Sequence, residues 1–403
     1  MFIEKAKQTL FPDYNYKTWE RLIKQSIPVK HTKEGMLIKP LYVKSDWQHR
    51  VNSELYSNAR DFNNNWKISQ KMKHRDWNTL VDMVRLAICN GQDAIAIDCD
   101  YLSDHKQIDF NDLKKIMTVN EIPFVLRTSN YPLIIKKLLE VPFKHVIGII
   151  ATDPISAQLN KKVISKLSVE WLENVQKLAD TFGELKVILV DMIPYSNGGA
   201  NTLAVLALAI AEAVYYIECM KKLGWSPEKT VNKIAFHFQI GDEFYVEIAK
   251  IRAFRVLWRT ILNAYQIHQA AVTISAETAT FQQSSGPLNE HDIILRAGTA
   301  ALAASIGGID YLHVTPFHEE DKLATRIARN TQLIMREEAY FHRVSDPCGG
   351  SFYVEALTEK LIDGAWKIFQ KIDQNGGILH SLRESDFQNT IGKWQNKEGD
   401  IDE

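Results

Sequence analysis

A regular alternation of short apolar segments and longer amphipathic segments, beginning near residue 90, limits the fold more than any other feature of this sequence. Each short run is rich in valine, isoleucine and phenylalanine, and the longer stretch after it has apolar residues at helical spacing. Repeated strand–helix units of this kind are typical of parallel sheets. The predicted strands are 93–98, 124–128, 146–151, 186–192, 234–241, 271–276, 311–316 and a weaker one near 343–345. Eight strands at this spacing predict an α/β fold, a (β/α)8 barrel of the TIM type.

Several helix boundaries are marked by capping residues as well as by periodicity. Ser226 followed by Pro227 indicates a helix start, because serine caps free backbone N–H groups and proline is tolerated in the first turn. Asn289 before Glu290 indicates a second start, and residues 355–374 are predicted to form a long closing helix that ends at a pair of glycines. Each helix is expected to cover the barrel with one apolar stripe.

The most apolar long segment, residues 203–217, is predicted to be a helix buried in the core. Glu212 interrupts the segment and Glu218 follows it, so it is too short and too polar to span a bilayer. The chain has 48 basic and 49 acidic side chains, and this balance argues against nucleic acid, whose phosphates need a basic surplus. We therefore expect neither a membrane nor a nucleic acid among the partners.

The four cysteines, Cys89, Cys99, Cys219 and Cys348, include no CxxC pair. A disulfide scaffold or a structural zinc site is therefore not expected, and a reducing cytoplasm is the expected location. Charged residues fall early in the N-terminal segment, where a signal peptide needs an unbroken apolar core, so no export signal is expected.

Three regions are predicted along the chain. Residues 1–75 carry several prolines and large aromatic residues without regular spacing, which favours an extended N-terminal arm that contacts another surface. Residues 76–375 form the predicted barrel. Residues 376–403 form a C-terminal extension that ends in a polar, acidic tail.

The polar residues at the C-terminal ends of the strands are the candidates for catalysis, because active sites of such barrels lie there. They are Asp98, Asp100, Arg127, Thr128, Asp153, Asp191, Asn197, His237, Gln239, Glu277, Thr278 and His313. Asp98 and Asp100 lack the histidine spacing usual in metal sites of barrel hydrolases, so capping of helix N-termini is favoured over a metal site. His237 points either into the barrel or toward the helices, and a hydrogen-bonded buried histidine is the commoner outcome. These residues alone do not determine a function.

Several longer stretches resemble one family closely. They are residues 240–258, 326–332, 345–355, 283–286, 300–313 and 66–70, which read IGDEFYVEIAKIRAFRVLW, RIARNTQ, SDPCGGSFYVE, QSSG, AALAASIGGIDYLH and WKISQ. In their order and spacing across about 39–373 they resemble the barrel domain of the cobalamin-dependent acyl-CoA mutases, above all methylmalonyl-CoA mutase. The resemblance implies a TIM-type barrel and acyl-CoA chemistry.

The departures from the family pattern fall on its catalytic positions. The resemblance places Lys71 where catalytic members have a tyrosine after the WKISQ-like element, and Pro194 where they have a histidine that polarises the thioester. Residues 279–282, Ala-Thr-Phe-Gln, stand where active relatives show Arg-Thr-His-Ser. The chain is therefore expected to have no catalytic residues of its own. Asn197, His237, Gln282 and Gln283 remain candidates for contact with a substrate.

The twelve histidines include none in the Asp-x-His-x-x-Gly element through which these mutases bind cobalamin, so we expect this chain to hold no cofactor and no metal. The length also leaves no expected room for a flavodoxin-like cobalamin domain. This pattern resembles the small, non-catalytic subunit of heterodimeric methylmalonyl-CoA mutase, an isomerase of propionate metabolism. The implied partner is a large catalytic subunit that binds adenosylcobalamin and interconverts methylmalonyl-CoA and succinyl-CoA.

Two other functions remain open from the sequence. One is a stand-alone acyl-CoA-binding barrel protein or enzyme that uses the barrel mouth in a new way. The other is the barrel subunit of a split mutase whose cobalamin domain is a separate polypeptide, although the loss of both catalytic side chains argues against it.

Overall fold

A sheet of eight parallel strands lies at the centre of the computed structural model, which describes residues 16–23, 30–47, 64–117, 121–159, 165–280, 289–319 and 321–384. The strands in chain order are β1 Lys30–His31, β2 Leu37–Ile38, β3 Lys67–Ile68, β4 Ile95–Asp98, β5 Phe124–Arg127, β6 Gly148–Thr152, β7 Lys186–Asp191, β8 Ile234–Ile240, β9 Thr273–Thr278 and β10 Tyr311–His313. β1 and β2 form a separate antiparallel hairpin, and the other eight run in the order β3-β10-β9-β8-β7-β6-β5-β4.

The two edge strands of this order meet and close the sheet. The amide of Asp93 donates to the carbonyl of Ile68 at 3.0 Å, just before β4 begins. Met72 donates to Ala96 at 2.9 Å and accepts from Asp98 at 3.0 Å. The segment from β3 to Met72 therefore pairs with β4, and the predicted TIM-type barrel is confirmed.

One strand of the barrel is not where the sequence pattern placed it. The prediction of a strand near 343–345 is wrong, because Phe341–Arg343 forms a short 3-10 helix. Tyr340, just before it, has a φ of 57°, and the chain turns there. The missing strand is β3, which lies N-terminal to the predicted start of the barrel at residue 76. β3 has only two residues, too few to show an alternating pattern.

Helices cover the outside of the barrel. They are α1 Tyr16–Ile23, α2 Trp77–Cys89, α3 Phe110–Ile116, α4 Tyr131–Leu139, α5 Val169–Thr181, α6 Ile193–Asn197, α7 Thr202–Lys222, α8 Pro227–Val231, α9 Phe244–Ala264, α10 Glu290–Gly307, α11 Lys322–Leu333, α12 Phe352–Gln374 and α13 Ile378–Arg383. The predicted caps are confirmed, because Ser226 Oγ accepts from the amide of Lys229 and Asn289 Oδ1 accepts from that of Asp292. The predicted closing helix is α12.

α7 is the buried helix that the apolar segment predicted. Among the described residues, α7 is the helix that has the length and composition of a membrane span, but 72% of its most apolar window is buried inside the protein. Its central residues, from Leu206 to Ile210, are all fully buried. α7 is therefore part of the hydrophobic core, packed against β7 and α12.

The described part of the predicted N-terminal arm lies against the barrel's own helices. Lys360 of α12 donates to the carbonyl of Leu37 at 3.2 Å, and the rings of Tyr42 and Tyr353 have centroids 4.8 Å apart. Trp47 contacts the neighbouring Phe352 in the same way. Residues 1–15, 24–29, 48–63 and 385–403, which complete the predicted arm and tail, lie outside the described residues.

Candidate functional site

A cavity with about 480 Å³ of empty volume, its open side included, lies inside the barrel near the C-terminal ends of the strands. It is lined by Ser69, Lys71, Ala96, Ile97, Val125, Leu126, Arg127, Ile149, Leu189, His237, Ser275, Glu277 and His313. These residues come from the ends of β3 to β10, as parallel strands in a closed barrel require. We call this cavity the barrel mouth.

Charged side chains in the barrel mouth are paired with one another. Glu277 Oε2 accepts from Lys71 Nζ at 3.1 Å and lies 3.4 Å from the guanidinium of Arg127. The same guanidinium donates to Asp191 Oδ2 at 2.8 Å. Two cations therefore face two carboxylates, and the four formal charges cancel.

Both histidines of the barrel mouth also have partners. His237 points into the barrel, with Nδ1 3.0 Å from Ser275 Oγ and Nε2 3.5 Å from Glu277 Oε2. His313 Nδ1 accepts from the amide of Lys71 at 3.2 Å. Burial, together with the charge of Lys71, lowers the pKa of His313 to about 3, so this imidazole is neutral at pH 7.

The charge pairing also sets the protonation of Glu277. Burial alone would raise the pKa of this carboxyl, but the hydrogen bond with His237 and the charges of Lys71 and Arg127 outweigh burial and hold the pKa well below its usual range. Likewise, burial opposes the charged form of Arg127, and Asp191 and Glu277 together still raise its pKa. Glu277 is an ionised acceptor with cationic donors, which makes it a poor general base near pH 7.

A second group of polar residues, centred on Asp153, holds the end of β7 beside the barrel mouth. Asp153 accepts hydrogen bonds from the amides of Ile155, Ser156 and Asp191 and from the hydroxyl of Tyr216. The bond to the amide of Asp191 fixes the strand end that carries the partner of Arg127.

Glu212, from the middle of α7, is fully buried beside this group and accepts from the hydroxyl of Tyr195 at 2.8 Å. Burial and the nearby charge of Asp153 raise the pKa of Glu212 well above its usual value. α7 thus carries a carboxyl group whose neutral form is favoured in the folded protein.

The other candidates from the sequence have different positions. Pro194 lies in the first turn of α6 and does not line the barrel mouth. Asn197 is exposed at the end of α6 and accepts from Gln239 Nε2 at 3.0 Å, outside the cavity. Gln282 and Gln283 lie outside the described residues, so their predicted contact with a substrate stays a prediction.

Asp98 and Asp100 serve the local backbone. Asp98 accepts from the amide of Asp100, and Asp100 accepts from the amide and the hydroxyl of Ser129. Asp98 thereby caps the short 3-10 helix Cys99–Tyr101, the role that the sequence favoured, whereas Asp100 bonds to Ser129, which lies before the first residue of α4. In the described ranges no group of three or more histidine, cysteine, aspartate or glutamate side chains is placed to hold a metal ion. Of the two histidines that line the barrel mouth, His237 has polar partners beside both ring nitrogens, whereas His313 accepts its hydrogen bond at Nδ1.

Sequence reasoning identified the charged residues of the barrel mouth one by one but not their association, and it missed Ser69 and Ser275. Strand register was the signal that could have grouped them. Asp191 is opposite His237, His237 is opposite Ser275, and Glu277 is opposite His313. Side chains at paired positions of neighbouring parallel strands point to the same face of the sheet. One residue that points into the barrel therefore identifies the inward-pointing residue on the next strand.

A model of the family described as methylmalonyl-CoA mutase matches residues 87–402, which is more than half of the chain. Similar proteins carry matching names. The methylmalonyl-CoA mutase small subunit of Porphyromonas gingivalis is 31% identical over 253 residues, which cover 60% of this chain and 40% of that protein. The small subunit of Propionibacterium freudenreichii subsp. shermanii is 30% identical over 248 residues, covering 60% and 38%.

A relative named methylmalonyl-CoA mutase, from Cereibacter sphaeroides, is 34% identical over 194 residues, covering 46% of this chain and 27% of that protein. The matched region spans about two fifths of the small subunits named above.

Proposed function

This chain belongs to the methylmalonyl-CoA mutase family, and from that premise we propose that it is the non-catalytic small subunit of a heterodimeric, adenosylcobalamin-dependent methylmalonyl-CoA mutase. In this proposal a large subunit binds the cofactor and interconverts methylmalonyl-CoA and succinyl-CoA. This chain binds no cofactor and stabilises its partner. Relatives named as small subunits support the assignment to that class.

The observation that carries the proposal is the internal pairing of charges in the barrel mouth. Lys71 occupies the position of the catalytic tyrosine in the resemblance, and its ammonium group is bound to Glu277 at 3.1 Å. Arg127 is held by Asp191 and Glu277 together. A substrate that entered the barrel would have to break these pairs without gaining the groups that the family's chemistry uses.

Pro194 supports the same conclusion. Its side chain has no hydrogen-bond donor, so it cannot polarise a thioester carbonyl as a histidine does. Its place in the first turn of α6 suits a proline, because the missing N–H group has no partner there in any helix. Pro194 therefore fits the first turn of α6 but cannot take the part of the histidine in the mutase reaction.

A cytoplasmic location is part of the proposal. All four cysteines are free thiols, with Cys99 buried and Cys89 exposed. Burial raises the pKa of Cys99 far above that of an ordinary thiol, so this cysteine is inert rather than nucleophilic.

Reconstitution with the large subunit encoded by the same organism tests the proposal. The purified chain with adenosylcobalamin and methylmalonyl-CoA should give no succinyl-CoA, whereas the chain and the large subunit should co-purify as an active one-to-one complex. Turnover by the chain alone would overturn the proposal, and so would a large subunit that shows no association with it.

Titration calorimetry with methylmalonyl-CoA and succinyl-CoA separates the proposal from a stand-alone acyl-CoA-binding protein. The isolated chain should give no heat of binding, because the barrel mouth is occupied by its own ion pairs. Tight binding of either ester would favour the acyl-CoA-binding function instead.

A further inference from the structure

A large groove lies on the outside of the barrel between α2 and α11. It has about 1430 Å³ of empty volume, its open side included. Met83 and Leu86 of α2 line one side, and Leu323, Arg326 and Arg329 of α11 line the other. We call this space the α2–α11 groove.

The two helices that form the groove lie close together at one end. At their C-terminal ends the helices come together, because a Cβ atom on Gly91, just after α2, would lie 3.0 Å from the side chain of Leu333 in α11. Arg336 and Asp93 form an ion pair at the same end. Met72, which closes the barrel against β4, also lines the groove, so the groove lies directly over the closing seam of the barrel.

Arg329 is the unusual residue of this groove. It is only 7% exposed, yet it makes no hydrogen bond or ion pair with any described residue, and its Nε atom is buried without a partner. The other buried arginines in the described ranges have partners: Arg252 bonds to Asp346 and Glu355, and Arg255 to the carbonyl of Gly308. Burying a charge without a partner is strongly unfavourable, and burial with the nearby charge of Arg326 lowers the pKa of Arg329.

The rest of the groove adds positive charge. Arg326 lies one turn before Arg329, and Lys322 lies one turn before Arg326; both are exposed, and neither forms an ion pair within the described parts of the chain. The acidic residue of the groove, Asp82, is bound to Arg85 at 2.7 Å. The three cations of α11 are therefore not neutralised by the groove itself.

The edges of the groove are apolar and open to water. Leu86 is 65% exposed on α2, and Leu323 is 48% exposed on α11. These two exposed leucines give the groove apolar surface on both edges, which an occupant of the groove would cover.

We propose that the α2–α11 groove docks a segment of the large subunit in which an acidic side chain is flanked by apolar residues. The carboxylate pairs with Arg329 at the base of the groove, with Arg326 and Lys322 beside it, and the apolar residues cover Leu86 and Leu323. The identity of the partner rests on the function proposed above. The chemistry of the segment rests on the groove alone.

A peptide segment can pair with the cations of the groove and also cover its exposed leucines, whereas a small anion can only pair with the cations. A free phosphate would neutralise Arg329 but would leave the two leucines in water. A purely apolar segment would cover the leucines but would seal an unpaired guanidinium beneath them, at a high cost in free energy. Charge and apolar surface thus point to the same occupant.

The test measures the affinity of the large subunit for the full-length chain and for three variants. Arg329→Met keeps much of the side-chain volume and removes the charge, and Arg326→Glu reverses an exposed charge with little risk to folding. Lys177→Glu, on the exposed face of α5 across the barrel, is the matched control. We expect each groove variant to weaken binding by at least about tenfold, as loss of a desolvated charge pair does, and the control to bind like wild type.

A measurement of thermal stability separates docking from a structural role. Arg329→Met should leave the Tm of the isolated chain unchanged or higher, because a buried unpaired charge is removed. If this variant fails to fold, Arg326→Glu decides the question, since its side chain is exposed. Equal affinity of the wild type and the groove variants would overturn this inference and leave the proposed function standing.

Two further results would also count against the inference. If wild-type chain shows no binding to the large subunit, both this inference and the proposed function are overturned. If inorganic phosphate raises the Tm of the wild type but not that of Arg329→Met, and the large subunit binds both equally, the groove is a small-anion site instead.

Discussion

Glu277 is the residue on which the charge balance of the barrel mouth depends, because Lys71 and Arg127 both bind its Oε2 atom. Glu277→Gln would leave these two cations with the single carboxylate of Asp191. We expect the free energy of unfolding to fall by about 3 kcal/mol, as when one partner of a buried pair is removed. Urea denaturation at pH 7 measures the change.

Glu173→Gln in α5 is the matched control for that measurement, because Glu173 is exposed and has no ion pair within the described residues. It should change the free energy of unfolding by less than about 0.5 kcal/mol. Equal effects of the two substitutions would show that the pairing in the barrel mouth contributes no stability.

His313 gives the barrel mouth a defined dependence on pH. Its pKa is about 3 in the folded protein and 6.5 for an unperturbed histidine, so between these values the unfolded chain binds a proton that the folded chain does not. Stability is therefore fully present above about pH 6.5 and falls as the pH drops toward 3, by at most about 1.4 kcal/mol per pH unit. His313→Gln should flatten this slope in urea denaturation between pH 4 and 7, and parallel curves for the two proteins would contradict the assignment.

At the residue scale the sequence predicted the members of the site better than the site itself. Arg127, Asp191 and Glu277 were identified as strand-end residues, but more than sixty residues separate each from the next in the chain. No local pattern reports that two cations share one carboxylate, because that contact exists only after the barrel closes. The sequence therefore predicted where the charged side chains lie in the barrel, but it did not predict that they form ion pairs with one another.

At the scale of elements, α7 is expected to make the stability of the protein depend on pH, because Glu212 lies in its buried centre. Burial and Asp153 raise the pKa of Glu212 above the usual value of 4.5, so unfolding releases a proton once the pH exceeds about 4.5. Stability from this group is present at low pH and is lost as the pH rises toward the folded-state pKa. Glu212→Gln removes this loss, and its stability relative to wild type should therefore increase between pH 5 and pH 8.

Chemical denaturation of both proteins at the two pH values measures this difference. The hydroxyl of Tyr195 keeps an acceptor in the variant, since the amide oxygen of glutamine can replace the carboxyl oxygen that it contacts. A constant difference between the proteins at pH 5 and pH 8 would mean that Glu212 has an ordinary pKa in the folded state.

At the scale of elements, length decided what the sequence could predict. β7 and β8, with six and seven residues, were predicted almost to their ends because long apolar runs between polar turns are distinctive. β3, with two residues, has no detectable period and is held by its neighbours, through pairing with β10 and the bonds to β4. The predicted number of eight strands was right. The strand predicted last, near 343–345, is absent, however, and its place in the count is taken by β3, the first strand of the barrel.

The position of β3 makes a prediction for the whole molecule. A chain that starts at Asn64 retains β3, the buried Trp66 and the hydrogen bond from Asn64 to the carbonyl of Phe341. A chain that starts at residue 76, the boundary predicted from the sequence, lacks the strand between β10 and β4. We expect the longer chain to unfold cooperatively in urea and the shorter one to show no cooperative transition. A cooperative transition in the shorter chain would mean that β3 is dispensable.

The pairing of the first barrel strand with the last also governs the order of events during protein synthesis. The side chain of Gln70 bonds to the backbone of Val314, 244 residues further along. At ~5–20 residues per second, a ribosome needs roughly 10–50 s to make the chain between them. Until then the nascent chain carries two open strand edges and an unsheltered Trp66, so nascent-chain chaperones that shield such edges should determine the yield of soluble protein in the cell.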